Sequence, residues 1–120
     1  MMPKFRAWYK EEKCMAPVND INFEKRIVNE HDVWRFFDEV ILMQSTGLHD
    51  KNGIEIYEGD IVNVSTPYID DLTNEVVEYC HTRAYYDVGS FMLGNFDTDK
   101  IEVIGNIHEH SHLLDNGGNL

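Results

Sequence analysis

Short runs of alternating apolar and polar residues fill the first third of the chain, and this pattern is typical of half-buried β-strands. The run KFRAWY (4–9) is followed by the polar stretch KEEK and by a second apolar run, CMAPV (14–18). This order predicts a hairpin with Pro17 at the end of its strand or on a sheet edge. The run INFEKRIV (21–28) alternates imperfectly and predicts one further strand. The residues expected to share one face of the first strand are Phe5, Ala7 and Tyr9.

Residues 31–40 carry two competing periodicities. Asp32 is placed to cap a helix over this segment, but the same residues also alternate as a strand does. We favour two short strands bent near Asp38 and keep a single helix as the alternative. The positions that follow helical spacing are Val33, Phe36, Phe37 and Val40.

The stretch LMQSTGLHDKNGIEIYEGDIV (42–62) contains three turn signals between apolar runs. Thr46-Gly47 is the first, and DKNG (50–53) is stronger because an Asn-Gly pair supplies the positive φ values of a tight hairpin turn. The alternation in IEIY predicts that Ile54 and Ile56 point inward, and EGD then turns the chain into the strand IVNVS.

The second half continues as a β protein. STPYIDDLTN predicts a mobile acidic loop, and EVVEYCHTRAYYD, SFMLGNF and IEVIGNIHE predict strands or hairpin arms, with a bulge or close backbone approach at Gly105. We therefore predict one mainly β domain over 1–120, with a β-rich α+β fold possible. A β-meander (about 4–48) packs on a small SH3-like or partly open barrel (about 54–109), and a flexible tail (115–120) ends the chain.

Charge restricts the classes of partner. The chain has 120 residues, of which 22 are acidic and 10 are basic, for a net charge of -12. Such a field repels nucleic acid and anionic membranes, so we expect no direct nucleic-acid binding. No apolar run approaches the length of a membrane span, and the first residues do not have the pattern of a signal peptide. These features predict a cytoplasmic protein.

Reactive constellations are weak in this sequence. Cys14 and Cys80 are too few for a disulfide framework and are expected to be free thiols. A calcium loop counted from Asp50 fails at its glycine and final glutamate positions. No nucleophile elbow or phosphate-binding glycine motif is present. The HEHSH segment brings three histidines onto one face only if it is a strand: His108, His110 and His112. We expect their role to be structural or incidental, and an adventitious nickel or zinc site is the alternative.

Three ordered blocks nevertheless form a specific pattern. They are KFRAWYKEEKCM near the start, VILMQSTGLHDKNGIEIYEGDIV in the middle and IEVIGNIHE near the end. Together they resemble the YopX family of bacteriophage and prophage proteins, and they cover about a third of the chain. The segment 65–99 does not follow the family pattern, and HSH stands before Leu113 and Leu114 where the family often has Asn-Pro.

The resemblance to the YopX family implies a type of fold, but it does not imply a catalysed reaction. The family brings no catalytic residue, cofactor or metal, so we predict none and expect that the protein is not an enzyme. The motif residues to which we assign a structural role are Gly47, Leu48, Asp50, Asn52, Gly53, Tyr57, Gly59, Asp60 and Gly105. The acidic residues that we predict as candidates for protein binding are Glu55, Glu58, Asp70 and Asp71.

Two functional hypotheses follow. The first is a non-enzymatic phage accessory protein in the host cytoplasm that binds a host or phage protein, for example as an acidic inhibitor of a nucleic-acid-binding or defence protein. The second is a structural or assembly protein that works as a homo-oligomer through exposed strand edges. Most aromatic residues on the predicted strands are expected in the core, and those on outward faces are candidates for a protein-binding patch.

Overall fold

The structure is a computed structural model that describes residues 4–30, 33–67, 70–82, 84–89 and 91–114. The fold is mainly β, as predicted, with several antiparallel sheets and one curled, half-barrel sheet. The chain forms two compact units, which we call the first unit (Met1–Ser45) and the second unit (Thr46–Leu120). The prediction of one domain with parts at 4–48 and 54–109 stays a prediction. The proposed cap Asp32 and the predicted tail 115–120 lie outside the described residues.

The first unit contains two small antiparallel sheets. One has the order β2-β1-β6 and the other β3-β4-β5. One cluster of buried side chains lies in this unit, and it includes Ala7 and Tyr9, two of the three residues predicted to share one face of the first strand. The cluster consists of Ala7, Tyr9, Val28 and Val40. The elements are β1 (Phe5–Tyr9), β2 (Cys14–Pro17), β3 (Asp20–Asn22), β4 (Ile27–Glu30), β5 (Val33–Phe36), a 3-10 turn (Phe37–Glu39) and β6 (Val40–His49), which continues into the second unit.

The second unit is built around a five-stranded antiparallel sheet in the order β11-β10-β9-β8-β12. Its core is aliphatic, and β8 is almost entirely buried. The strands are β7 (Glu55–Tyr57), β8 (Asp60–Val64), β9 (Leu72–Cys80), β10 (Tyr85–Val88), β11 (Phe91–Met92) and β12 (Ile101–Asn106), with 3-10 turns at Leu93–Asn95 and Thr98–Lys100. Its fully buried core residues include Ile56, Ile61, Val62, Val77, Val88 and Ile101.

Several local predictions are confirmed. The hairpin of β1 and β2 is formed, and Pro17 ends its strand. Residues 33–40 form two strands joined by the 3-10 turn at Asp38, as favoured over a helix. The register between β12 and β8 shifts between Val103 and Gly105, which is the predicted bulge.

Other local predictions are wrong. The run 21–28 is not one strand: it contains the end of β3, a turn at 23–26 and the start of β4. The chain turns because Asn22 Oδ1 accepts the Lys25 N–H at 2.9 Å and Arg26 takes a positive φ of 58°. Ile54 was predicted to point inward, but it is 48% exposed because it lies in the turn before β7. The strand predicted in SFMLGNF is only two residues long and runs into a 3-10 turn. Leu72–Asn74, expected in a loop, begin β9.

Candidate protein-binding surface

Asp50 is a buried carboxylate that fastens a hairpin turn to a distant strand. It is 5% exposed, and its Oδ1 accepts N–H groups from Asn52 (2.8 Å) and Ile54 (2.9 Å). Its Oδ2 accepts the N–H of Val103 on β12 at 2.9 Å. Burial alone raises the pKa of Asp50, but the three N–H donors outweigh it and hold the pKa below its ordinary value. The carboxylate is therefore committed to the fold.

Asp60 and Asn106 serve neighbouring turns in the same way. Asp60 is 2% exposed and accepts the Tyr57 N–H at 2.8 Å through Oδ2. Asn106 Oδ1 accepts the N–H groups of His108 (3.0 Å) and Glu109 (2.9 Å) after the end of β12. Both side chains satisfy backbone donors that the strands leave unpaired. The polar motif residues Asp50, Asp60 and Asn106 thus hold turns.

The motif glycines supply backbone geometry. Gly47, Gly53 and Gly59 have φ values of 82°, 81° and 87°. In the DKNG turn the Gly53 N–H donates to the Asp50 carbonyl (3.0 Å), and only the glycine of the Asn-Gly pair has positive φ. Residues 50–53 therefore form a β-turn whose last residue, Gly53, takes the left-handed conformation. The carboxylate of Asp50 holds Asn52 in place within this turn.

Gly53→Val is expected to lower the free energy of unfolding by about 2 kcal/mol, since a β-branched residue resists a left-handed backbone. No atom lies within 4 Å of a Cβ built at Gly53, so the effect isolates backbone strain from crowding. The matched control is Gly94→Val, where space is equally open and φ is not positive. Equal denaturant midpoints for the Gly53 variant and the wild type would contradict this account of the turn.

The four acidic residues predicted to bind protein lie in two separate segments. Glu55 and Glu58 are partly buried, and Glu55 Oε1 lies 4.0 Å from His49 Nε2. Burial, followed by the charge of Glu58, raises the pKa of Tyr86. Asp70 and Asp71 are exposed in the loop before β9, where Asp71 Oδ1 accepts the Thr66 N–H at 3.1 Å. Of the four, only the two loop aspartates are exposed.

Sequence reasoning missed a more concentrated acidic site, which we call the acidic cleft. It is a cavity of about 270 Å³, and none of the described residues that line it is basic. Glu78 on β9 faces Asp87 on β10 directly across the antiparallel register. Like charges in that position destabilise a sheet. The pairing register of the β9–β10 hairpin is the information that would have revealed the Glu78–Asp87 pair. The lining residues are Asn74, Glu75, Val76, Glu78, Asp87, Gly89 and Leu114.

The two units differ strongly in charge. The first unit contains 7 basic and 8 acidic residues, for a net charge of -1. The second unit contains 3 basic and 14 acidic residues, for a net charge of -11. Nearly the whole net negative charge of the chain therefore belongs to the unit that carries the acidic cleft.

A second cavity, about 590 Å³, has a different character. It lies in the second unit between the loop after β8 and the two 3-10 turns, and its lining mixes the apolar Pro67 and Phe96 with the opposite charges of Asp97 and Lys100. The charges of Asp97 and Lys100 offset each other in this cavity. We therefore place the candidate binding surface at the acidic cleft.

The histidines and cysteines form no metal site in the described part of the chain. No group of three or more His, Cys, Asp or Glu side chains there is placed to hold an ion. β12 ends at Asn106, so His108, His110 and His112 do not share the face of a strand. Cys14 is exposed, Cys80 is partly buried, and both are free. No helix among the described residues is long and apolar enough to cross a membrane.

Fold and site together define a small acidic β protein whose buried motif carboxylates support turns and whose second unit presents a negative surface. The family model described as YopX protein matches residues 4–115, and the chain belongs to this family. It is also similar to a solved structure, the crystal structure of protein EF1440 from Enterococcus faecalis, with a TM-score of 0.62 and 29% sequence identity. That likeness covers 95% of this chain and 99% of the other. No curated protein matches the chain.

Proposed function

We propose that this YopX-family protein is a non-enzymatic phage or prophage accessory protein that acts by binding a basic protein surface in the cytoplasm of the host. The observation that carries the proposal is the acidic cleft, where three carboxylates line one cavity of a unit with a net charge of -11. Electrostatic complementarity of this kind speeds association with a positively charged partner and suppresses wrong partners.

The facing pair Glu78 and Asp87 gives the proposal its physical reason. The pair destabilises the sheet on its own, because two carboxylates repel each other across neighbouring strands. A lysine or arginine from a partner removes that repulsion when it enters the cleft, so binding gains energy that the free protein lacks. Surfaces that bind nucleic acid are rich in such side chains, and a protein with this cleft fits them as an inhibitor.

A salt-dependent pull-down with matched charge variants tests the proposal. The bait is the full chain, and the lysate comes from the bacterial host. The double variant Glu78→Gln/Asp87→Asn removes two charges from the cleft. The control Glu11→Gln/Glu24→Gln removes two exposed charges from the first unit.

We expect the wild type and the control to retain one basic host protein at low salt and to release it at high salt, because ions screen exposed charges. The cleft variant should bind that protein roughly tenfold or more weakly. Capture that resists salt, or that the control variant loses as readily as the cleft variant, would contradict the proposal.

A further inference from the structure

The outer edge of β5 combines exposed aromatic side chains with a strand edge. β5 is the last strand of the three-stranded sheet β3-β4-β5. Trp34 and Phe36 are 50% and 61% exposed, and their spacing of two places them on the same face of the strand. Exposed apolar edges of this kind are templates for pairing with another chain.

The hydrogen bonds fix the direction of the backbone groups. Phe37 N–H donates to the Arg26 carbonyl at 2.9 Å, toward β4. Backbone groups alternate in direction along a strand, so the N–H and C=O groups of Trp34 and Phe36 point away from β4. These four groups are what a neighbouring strand would pair with.

Two side chains of the same unit cover half of that edge. Glu39 Oε1 accepts the Phe36 N–H at 2.8 Å, and Arg35 Nη1 donates to the Trp34 carbonyl at 3.0 Å. Arg35 is itself held by Glu12, whose Oε2 accepts from Nη2 at 2.6 Å and from Nε at 3.0 Å. One outward donor and one outward acceptor are thereby occupied.

We propose that β5 is a self-association edge for a second copy of this chain, and that Glu39 and Arg35 keep it closed. In an antiparallel pairing centred on Arg35, Trp34 faces Phe36 of the second copy, and each pair exchanges two backbone hydrogen bonds. The same register sets an indole against a phenyl ring twice, which stabilises a sheet. The two Arg35 side chains face each other, and Glu12 neutralises each of them.

Charge also favours a second copy at this place. The first unit has a net charge of -1, whereas the second unit at -11 repels another copy of itself. Two copies therefore meet with least repulsion through the first unit. This inference concerns the first unit and does not depend on the acidic cleft.

Removal of the carboxylate at Glu39 tests the proposal. Glu39→Ala frees the Phe36 N–H, Glu39→Gln keeps a side-chain oxygen that can accept it, and Asp38→Ala removes the same charge from the adjacent exposed residue. Sedimentation equilibrium over a wide concentration range measures association, and circular dichroism checks that each variant is folded. Arg35→Leu, which uncovers the Trp34 carbonyl, is a second route if Glu39→Ala does not fold.

We expect Glu39→Ala to dimerise with a dissociation constant at least about tenfold lower than that of the wild type, Glu39→Gln or Asp38→Ala. Adding Trp34→Ser should return Glu39→Ala to the monomer. A folded Glu39→Ala variant that stays monomeric would overturn the proposal. So would a wild type that dimerises equally tightly, or equal dimerisation of Asp38→Ala.

Discussion

Asp50→Ala is expected to lower the free energy of unfolding by about 4 kcal/mol, because three N–H groups in partly buried hydrogen bonds lose their acceptor at once. The donors belong to Asn52, Ile54 and Val103, and the last of them lies 53 residues away along the chain. The loss therefore loosens both the DKNG turn and its attachment to β12. Urea unfolding followed by fluorescence measures the difference.

The control for this variant is Asp97→Ala. Asp97 is exposed in the same unit and makes no side-chain hydrogen bond to the turn that it precedes. We expect that change to alter stability by no more than about 0.5 kcal/mol. If Asp50→Ala unfolded at the same urea concentration as Asp97→Ala, the structural role assigned to Asp50 would be wrong.

The effect of Asp50 should also depend on pH. Its pKa in the folded protein lies below the ordinary value of 3.8, so the folded state binds fewer protons than the unfolded state near that pH. The stabilisation is complete above 3.8 and is lost as the pH falls from there through the folded-state pKa. The stability difference between wild type and Asp50→Ala should accordingly shrink on acidification.

Gly105→Ala is expected to destabilise the protein by about 3 kcal/mol through overpacking at the β12 bulge. A Cβ built at Gly105 lies 2.6 Å from Cγ and Nδ1 of His110 and 2.8 Å from its Cβ. The imidazole has little freedom to withdraw, because its Nδ1 accepts the Asn106 N–H at 3.1 Å. Thermal or denaturant unfolding checks the prediction.

A double-mutant cycle separates crowding from other effects of the new methyl group. His110→Gly removes the three atoms nearest to the built Cβ, whereas His110→Ala leaves the His110 Cβ in place. Gly105→Ala should therefore cost much less in the His110→Gly background than in the wild type. Equal costs in the two backgrounds would show that the contact with His110 is not the cause.

Local sequence reasoning succeeded where a residue and its sequence neighbours decide the geometry. Gly53 is required by a turn that its own neighbours close, and Pro17 ends a strand because it lacks an N–H donor. The bulge at Gly105 was also predictable, because a glycine inside an apolar strand pattern marks such irregularities. The assignment to the YopX family rests on the same locally encoded residues.

Sequence by itself thus determined the β class, the principal turns, the excess of negative charge and the family. Only the tertiary structure decided which distant groups meet: Asp50 with Val103, Glu78 with Asp87, and Arg35 with Glu12. The physical reason is that alternation specifies the face of a strand but not its neighbour or its register. Strand pairing is a property of the whole chain, and it placed both the acidic cleft and the closed edge of β5.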